Sequence, residues 1–129
     1  MKIIAHGIDL VHFARIASMR EKHGSHFLDR VYTGKELQYA GDNAKTIERL
    51  AGRFAAKEAV LKLIGTGLRG KMLWTDIEVV NDELGRPIVS IDGEVKAVAE
   101  KNGIEQITIS ITHTADFAMA SAVAIADKL

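Results

Sequence analysis

The run Asn43-Ala44-Lys45-Thr46-Ile47-Glu48-Arg49-Leu50-Ala51-Gly52-Arg53-Phe54-Ala55-Ala56-Lys57-Glu58-Ala59-Val60-Leu61-Lys62-Leu63-Ile64 is closed by Gly65-Thr66-Gly67 and holds the strongest helical pattern in the chain. Ile47, Leu50, Ala51, Phe54, Ala55, Leu61 and Ile64 recur at three- and four-residue spacing, which predicts one long helix with an apolar stripe. Such a stripe needs a partner surface, and the flanking sequence supplies strands. Residues 3–11 are rich in β-branched and apolar side chains and read as a first strand. Far down the chain, residues 106–112 alternate cleanly, Ile107, Ile109 and Ile111 facing one way and Thr108, Ser110 and Thr112 the other. A turn at His113-Thr114-Ala115-Asp116 leads into a small-residue strand over 117–126.

The remaining segments fill in around this frame. Phe13, Ile16 and Ala17 share one face of a helix over 12–23, with Gly24 as its stop. Phe27, Leu28, Val31 and Tyr32 mark a short apolar segment of unassigned type. Thr33 and Glu36 form a capping box that opens a short helix ending near Gly41. Residues 76–81 and 87–91 read as strands around a turn at Asp82-Glu83-Leu84-Gly85. Asp92 caps a helix over 93–102, stopped by Gly103. The order of strand, helices, hairpin, helix, hairpin predicts an α+β fold with a mainly antiparallel sheet around a long central helix.

The 129 residues suit one domain over 1–129, with 47% hydrophobic and 26% charged residues. Without cysteine, the chain has no disulfide, thiolate nucleophile or cysteine-based metal site, which suits a reducing cytoplasm. No apolar run approaches the roughly 18 residues of a membrane span, and the N-terminus does not read as a signal peptide. Seventeen Lys+Arg balance seventeen Asp+Glu, which argues against a bulk nucleic-acid footprint. The neutrality is a cancellation. Residues 1–74 hold 13 basic against 7 acidic side chains, and residues 75–129 hold 4 against 10. No P-loop, Gly-x-Ser-x-Gly elbow or His-Glu-x-x-His motif is present.

Three loci carry chemistry. Glu58 falls on the apolar stripe, where an ionised carboxylate costs several kcal/mol unless it is paired, coordinated or opens to a cleft. Lys62 at i+4 makes a plain helix ion pair one reading of that carboxylate, and a site the other. Arg53 and Lys57 add positive charge within the same two turns. Asp9 interrupts an apolar strand, either as a solvent-facing residue or as a second functional carboxylate. Two carboxylates from separate elements, without cysteine, suit Mg²⁺, which takes oxygen ligands and bridges to substrate phosphates. Ser110-Ile111-Thr112-His113 brings hydroxyls and an imidazole to a turn. There His113 is either merely exposed or a phosphate-binding or proton-donating group.

Taken in order, these segments resemble the holo-acyl-carrier-protein synthase family, the small phosphopantetheinyl transferases. The matching stretches are Gly7-Ile8-Asp9-Leu10-Val11 with Arg15, Arg53-Phe54-Ala55-Ala56-Lys57-Glu58-Ala59 through Lys62 and Gly65-Thr66-Gly67. Trp74-Thr75-Asp76-Ile77-Glu78, Asn81-Asp82-Glu83-Leu84-Gly85-Arg86-Pro87 and Ser110-Ile111-Thr112-His113 complete the set. The resemblance implies the family's fold and transfer of 4′-phosphopantetheine from coenzyme A to a serine of apo acyl carrier protein, with adenosine 3′,5′-bisphosphate as the other product. It further implies Asp9 and Glu58 as Mg²⁺ ligands, Glu58 and Lys62 as catalytic residues, and Arg53, Lys62 and His113 as coenzyme-binding residues. A homotrimer with sites between subunits is implied as well. Arg15, Met19 and Arg20 on the first helix are the expected carrier-protein surface, since basic residues around an apolar one suit an acidic partner. The competing reading is a non-catalytic coenzyme A or nucleotide-binding module.

Overall fold

Residues 1–126 are described by the computed structural model. Strand β1 (Lys2–His12) leads into helices α1 (Phe13–His23), α2 (Ser25–Val31) and α3 (Gly34–Ala40), then the long helix α4 (Thr46–Ile64). A single 3₁₀ turn (Trp74–Asp76) precedes the hairpin β2 (Ile77–Asn81) and β3 (Pro87–Ile91), helix α5 (Gly93–Lys101), and the hairpin β4 (Gln106–His113) and β5 (Phe117–Ala126). Both sheets are antiparallel: β1-β5-β4 forms one, and β2-β3 a separate pair. The α+β expectation holds. The segment left unassigned in the sequence is α2.

Local chemistry explains the element ends. The Thr33 hydroxyl accepts from Glu36 N while Glu36 Oε1 accepts from Thr33 N, so the capping box forms as expected. Helix α4 starts three residues later than its periodicity predicts. Residues 43–45 form a turn instead, with Thr46 Oγ1 accepting from Asn43 N and donating to Ala40 O.

The core is α4 laid across β1, β5 and β4. Alternation puts Ala118, Ala120, Ala122 and Ala124 of β5 on the buried side of the sheet that carries the helix, each at most 1% exposed, while the helix sets its own small residues Gly52 against Ile111 of β4 and Ala59 against Gly7 of β1. Small residues on both sides let backbone approach backbone at interior density. The closest approach is at Gly7 of β1. A Cβ there would lie 2.8 Å from Leu63 N, and nearer still to the Ala59 carbonyl oxygen. The other side of α4 meets α1, α3 and β2. The helix is therefore buried nearly all round rather than along one stripe, and between residues 50 and 61 only Glu58 is not buried. No helix among the described residues is long and apolar enough to cross a membrane.

Candidate active site

The gap in the burial of α4 is where two strand and helix carboxylates meet. Gly7, Asp9 and Val11 alternate onto the face of β1 that carries α4. Because Gly7 lets the strand press against the backbone of residues 59–63, Asp9 arrives beside the helix. Its Oδ1 accepts from Lys62 Nζ at 2.9 Å, and its side chain is only 13% exposed. Glu58, one turn before Lys62, lies in the field of the same groups. Its pKa is raised, first by burial and then by the negative charge of Asp9, while Arg15 and Lys62 oppose the rise. Thus β1, α1 and α4 converge on four charged side chains: Asp9, Arg15, Glu58 and Lys62.

The donor set fits a hard divalent cation. Two carboxylates are held close enough for one to disfavour ionisation of the other, a repulsion that a cation between them would relieve. No group of three or more His, Cys, Asp or Glu side chains suited to a metal occurs among the described residues. A two-carboxylate site matches Mg²⁺, which retains waters and takes phosphate oxygens, better than an all-protein cage metal.

Two residues expected at the coenzyme lie elsewhere on the chain. Five residues separate Arg53 from Glu58, about 140° around the helix. The Arg53 guanidinium sits 4.0 Å from the Tyr39 ring centroid and bonds to Asn81 Oδ1. It is 6% exposed, its Nε has no hydrogen-bond partner, and burial pulls its pKa down. His113 Nδ1 is 3.4 Å from Glu48 Oε1, near the start of α4 and about 15 Å of helix rise from Glu58. The other four histidines are exposed.

Of the expected partner-binding residues, Arg15 and Met19 line a pocket of about 210 Å³ with Phe27, Arg30, Phe54 and Trp74. Phe54 is the floor: Trp74 stacks on it at 5.2 Å, and the Arg15 guanidinium lies 5.2 Å from its centroid. Since Arg15 also acts on Glu58, the pocket adjoins the carboxylates. Arg20 points away and pairs with Asp42 at 3.1 Å.

Lys57 departs from the sequence reading. Grouped there with Arg53 as positive charge near Glu58, it is fully buried and paired with Glu36 at 2.7 Å, both side chains 0% exposed. Sequence reasoning took Glu36 only as a helix cap and missed the pairing. A lysine inside an otherwise apolar run was the available signal, because such a group requires a buried counter-charge.

Comparison with known proteins identifies the family. Residues 5–122 match the family model described as the 4′-phosphopantetheinyl transferase superfamily. The chain is 43% identical over 119 residues to the holo-[acyl-carrier-protein] synthase of Caldanaerobacter subterraneus subsp. tengcongensis, covering 92% of each. It is 42% identical to that of Koribacter versatilis, covering 94% of this chain and 97% of the relative. Among solved structures, the holo-[acyl-carrier-protein] synthase of Neisseria meningitidis superposes with a TM-score of 0.86 at 34% identity, covering 96% of this chain and 99% of that one. The Bacillus anthracis holo-(acyl-carrier-protein) synthase, solved in complex with CoA (3′,5′-ADP), gives 0.79 at 35% identity, covering 97% and 98%. A carboxylate pair on a β1–α4 frame, and a sequence that matches from residue 5 to residue 122, lead to one assignment: the chain belongs to the 4′-phosphopantetheinyl transferase superfamily.

Proposed function

We propose that this chain, as one domain, transfers 4′-phosphopantetheine from coenzyme A to a serine hydroxyl of apo acyl carrier protein, releasing adenosine 3′,5′-bisphosphate. The observation that carries the reading is the meeting of Asp9 and Glu58 beside Arg15 and Lys62. Asp9 and Glu58 would hold Mg²⁺, which when bound would neutralise charge on the pyrophosphate. Lys62, 55% exposed at its side chain, reaches from the same ledge to the phosphate oxygens and stabilises the leaving phosphate. The new bond joins the serine oxygen to phosphorus, the anhydride bond breaks with its electron pair leaving on the phosphate of adenosine 3′,5′-bisphosphate, and the serine proton passes to the Glu58 carboxylate. Arg15 and Met19 receive the carrier, with Arg20 at the edge of that surface. The absence of cysteine suits a cytoplasmic setting.

The working unit is a homotrimer with sites between subunits. The side of the β1-β5-β4 sheet turned away from α4 exposes Ile8 at 48%, Leu10 at 59% and Met119 at 38%, an uncovered apolar face that calls for a partner. In that arrangement Arg53 and His113, which their own chain holds away from Asp9 and Glu58, bind the coenzyme at a neighbour's carboxylates.

The test is the intact mass of an apo carrier protein after incubation with coenzyme A, Mg²⁺ and this protein. A phosphopantetheine adduct that chelation abolishes supports the reading. Failure to modify any of a panel of carriers refutes it.

A further inference from the structure

The Lys57 ammonium lies within 2.8 Å of Val31 O, 3.1 Å of Trp74 O and 2.6 Å of Ile77 O, in addition to Glu36. These acceptors come from three segments that no strand pairing joins at this point: the end of α2, the 3₁₀ turn and the start of β2. Val31 O is among the last carbonyls of α2, which have no partner within the helix. Two of the three segments are walls of the 210 Å³ pocket, since α2 contributes Phe27 and Arg30 and the turn contributes Trp74. The floor, Phe54, sits one turn before Lys57 on α4. Glu36 supplies the counter-charge and also accepts from Thr33 N and Val79 N.

We propose that Lys57 is a positioning residue for carrier docking: its buried ammonium ties the end of α2 and the Trp74 turn to α4, which sets the width of the pocket beside Glu58. The proposal rests on the carrier-docking reading above. With all its donors turned inward and none exposed, this ammonium has no free face for a phosphate. A buried ion pair is often no more stabilising than an apolar pair of equal volume, so its value lies in fixing one geometry. Wider spacing would leave Phe54 and Trp74 in place on their own segments but lose their shared contact with the carrier.

The test uses Lys57→Met/Glu36→Gln, which removes both charges together, and the emission of Trp74, the only tryptophan in the chain. The KM for apo carrier protein should rise at least about tenfold, while the KM for coenzyme A and kcat at saturating carrier stay within about threefold. Trp74 emission should shift to the red as the turn loosens. A rise in the KM for coenzyme A with unchanged emission would overturn the proposal, as would an unchanged KM for carrier. If the double variant fails to fold, Lys57→Arg, which keeps a cation opposite Glu36 but meets the three carbonyls with a different donor geometry, must show the same pattern with the carrier KM raised about tenfold; an unchanged carrier KM there is equally fatal. Arg15→Glu separates the two readings. If it leaves the carrier KM unchanged, docking itself is wrong; if it raises that KM and the Lys57 series does not, only the present proposal falls.

Discussion

Replacing Gly7 by alanine tests the link between packing and chemistry most directly. The added Cβ would stand 2.8 Å from Leu63 N and closer still to the Ala59 carbonyl oxygen, inside the 3.0 Å that real Cβ atoms respect. Both neighbours are backbone of a buried helix, so neither can swing aside. Strand β1 must back away from α4 by on the order of 1 Å, an overpacking strain of about 2–3 kcal/mol. For a domain of this size about 1 kcal/mol corresponds to roughly 4 °C, which places the Tm about 8–12 °C lower. The same shift carries Asp9 off Glu58 and Lys62, and a 1 Å misplacement costs roughly 100-fold in rate. Calorimetry and a mass-detected transfer assay, run where the variant is still folded, should show both losses, with a higher Mg²⁺ requirement. A Tm within about 2 °C of the parent together with turnover within twofold would refute the claim that Gly7 sets the carboxylate geometry.

Glu58→Gln should cost at least about 10³-fold in transfer. Its folded-state pKa is raised, so between the ordinary carboxylate range and that raised value the native state binds more protons than the unfolded state, and stability falls as pH rises. Without divalent cation, the variant should therefore gain Tm relative to the parent at pH 8 but not at pH 4; a gain that is equal at both would contradict the raised pKa. Lys57→Met alone strands the Glu36 charge and should cost about 3–5 kcal/mol by denaturant titration, more than the double variant with Glu36→Gln. Arg15→Glu should raise the carrier KM about tenfold at low salt, and the difference should shrink at 0.5 M salt, where charges are screened within about 4–5 Å. Leu10→Arg on the bare sheet face should turn a trimer into monomers by light scattering and abolish transfer along with it; a trimer that persists would remove that face from the interface.

Much of this was legible in one dimension. The alternation of residues 106–112, the Thr33–Glu36 capping box and the spacing along α4 each name an element, because they report how side chains point about a single axis. Short-range signals weakened where neighbours decide. The segment that forms α2 has only seven residues, and its helical state depends on Phe27 and Val31 being buried. Asp9 and Glu58 stood out in sequence because a carboxylate among apolar neighbours is costly, yet periodicity cannot bring a strand to a helix. Their meeting depends on Gly7 against the backbone of residues 59–63.

Adjacent residues show where the boundary falls. Lys57 and Glu58 are neighbours with equal claims on a charged site by composition, and a turn of about 100° sends them to different fates. Glu58 looks out through the gap beside Asp9, whereas Lys57 points into the layer formed by α2, α3 and β2, where Glu36 waits. Sequence by itself determined most of the elements, though not α2, together with the basic first half and the residue types suited to Mg²⁺ and phosphate. Tertiary structure alone decided which charges are spent inside as struts and which remain for chemistry, because that depends on what packs against each face of α4.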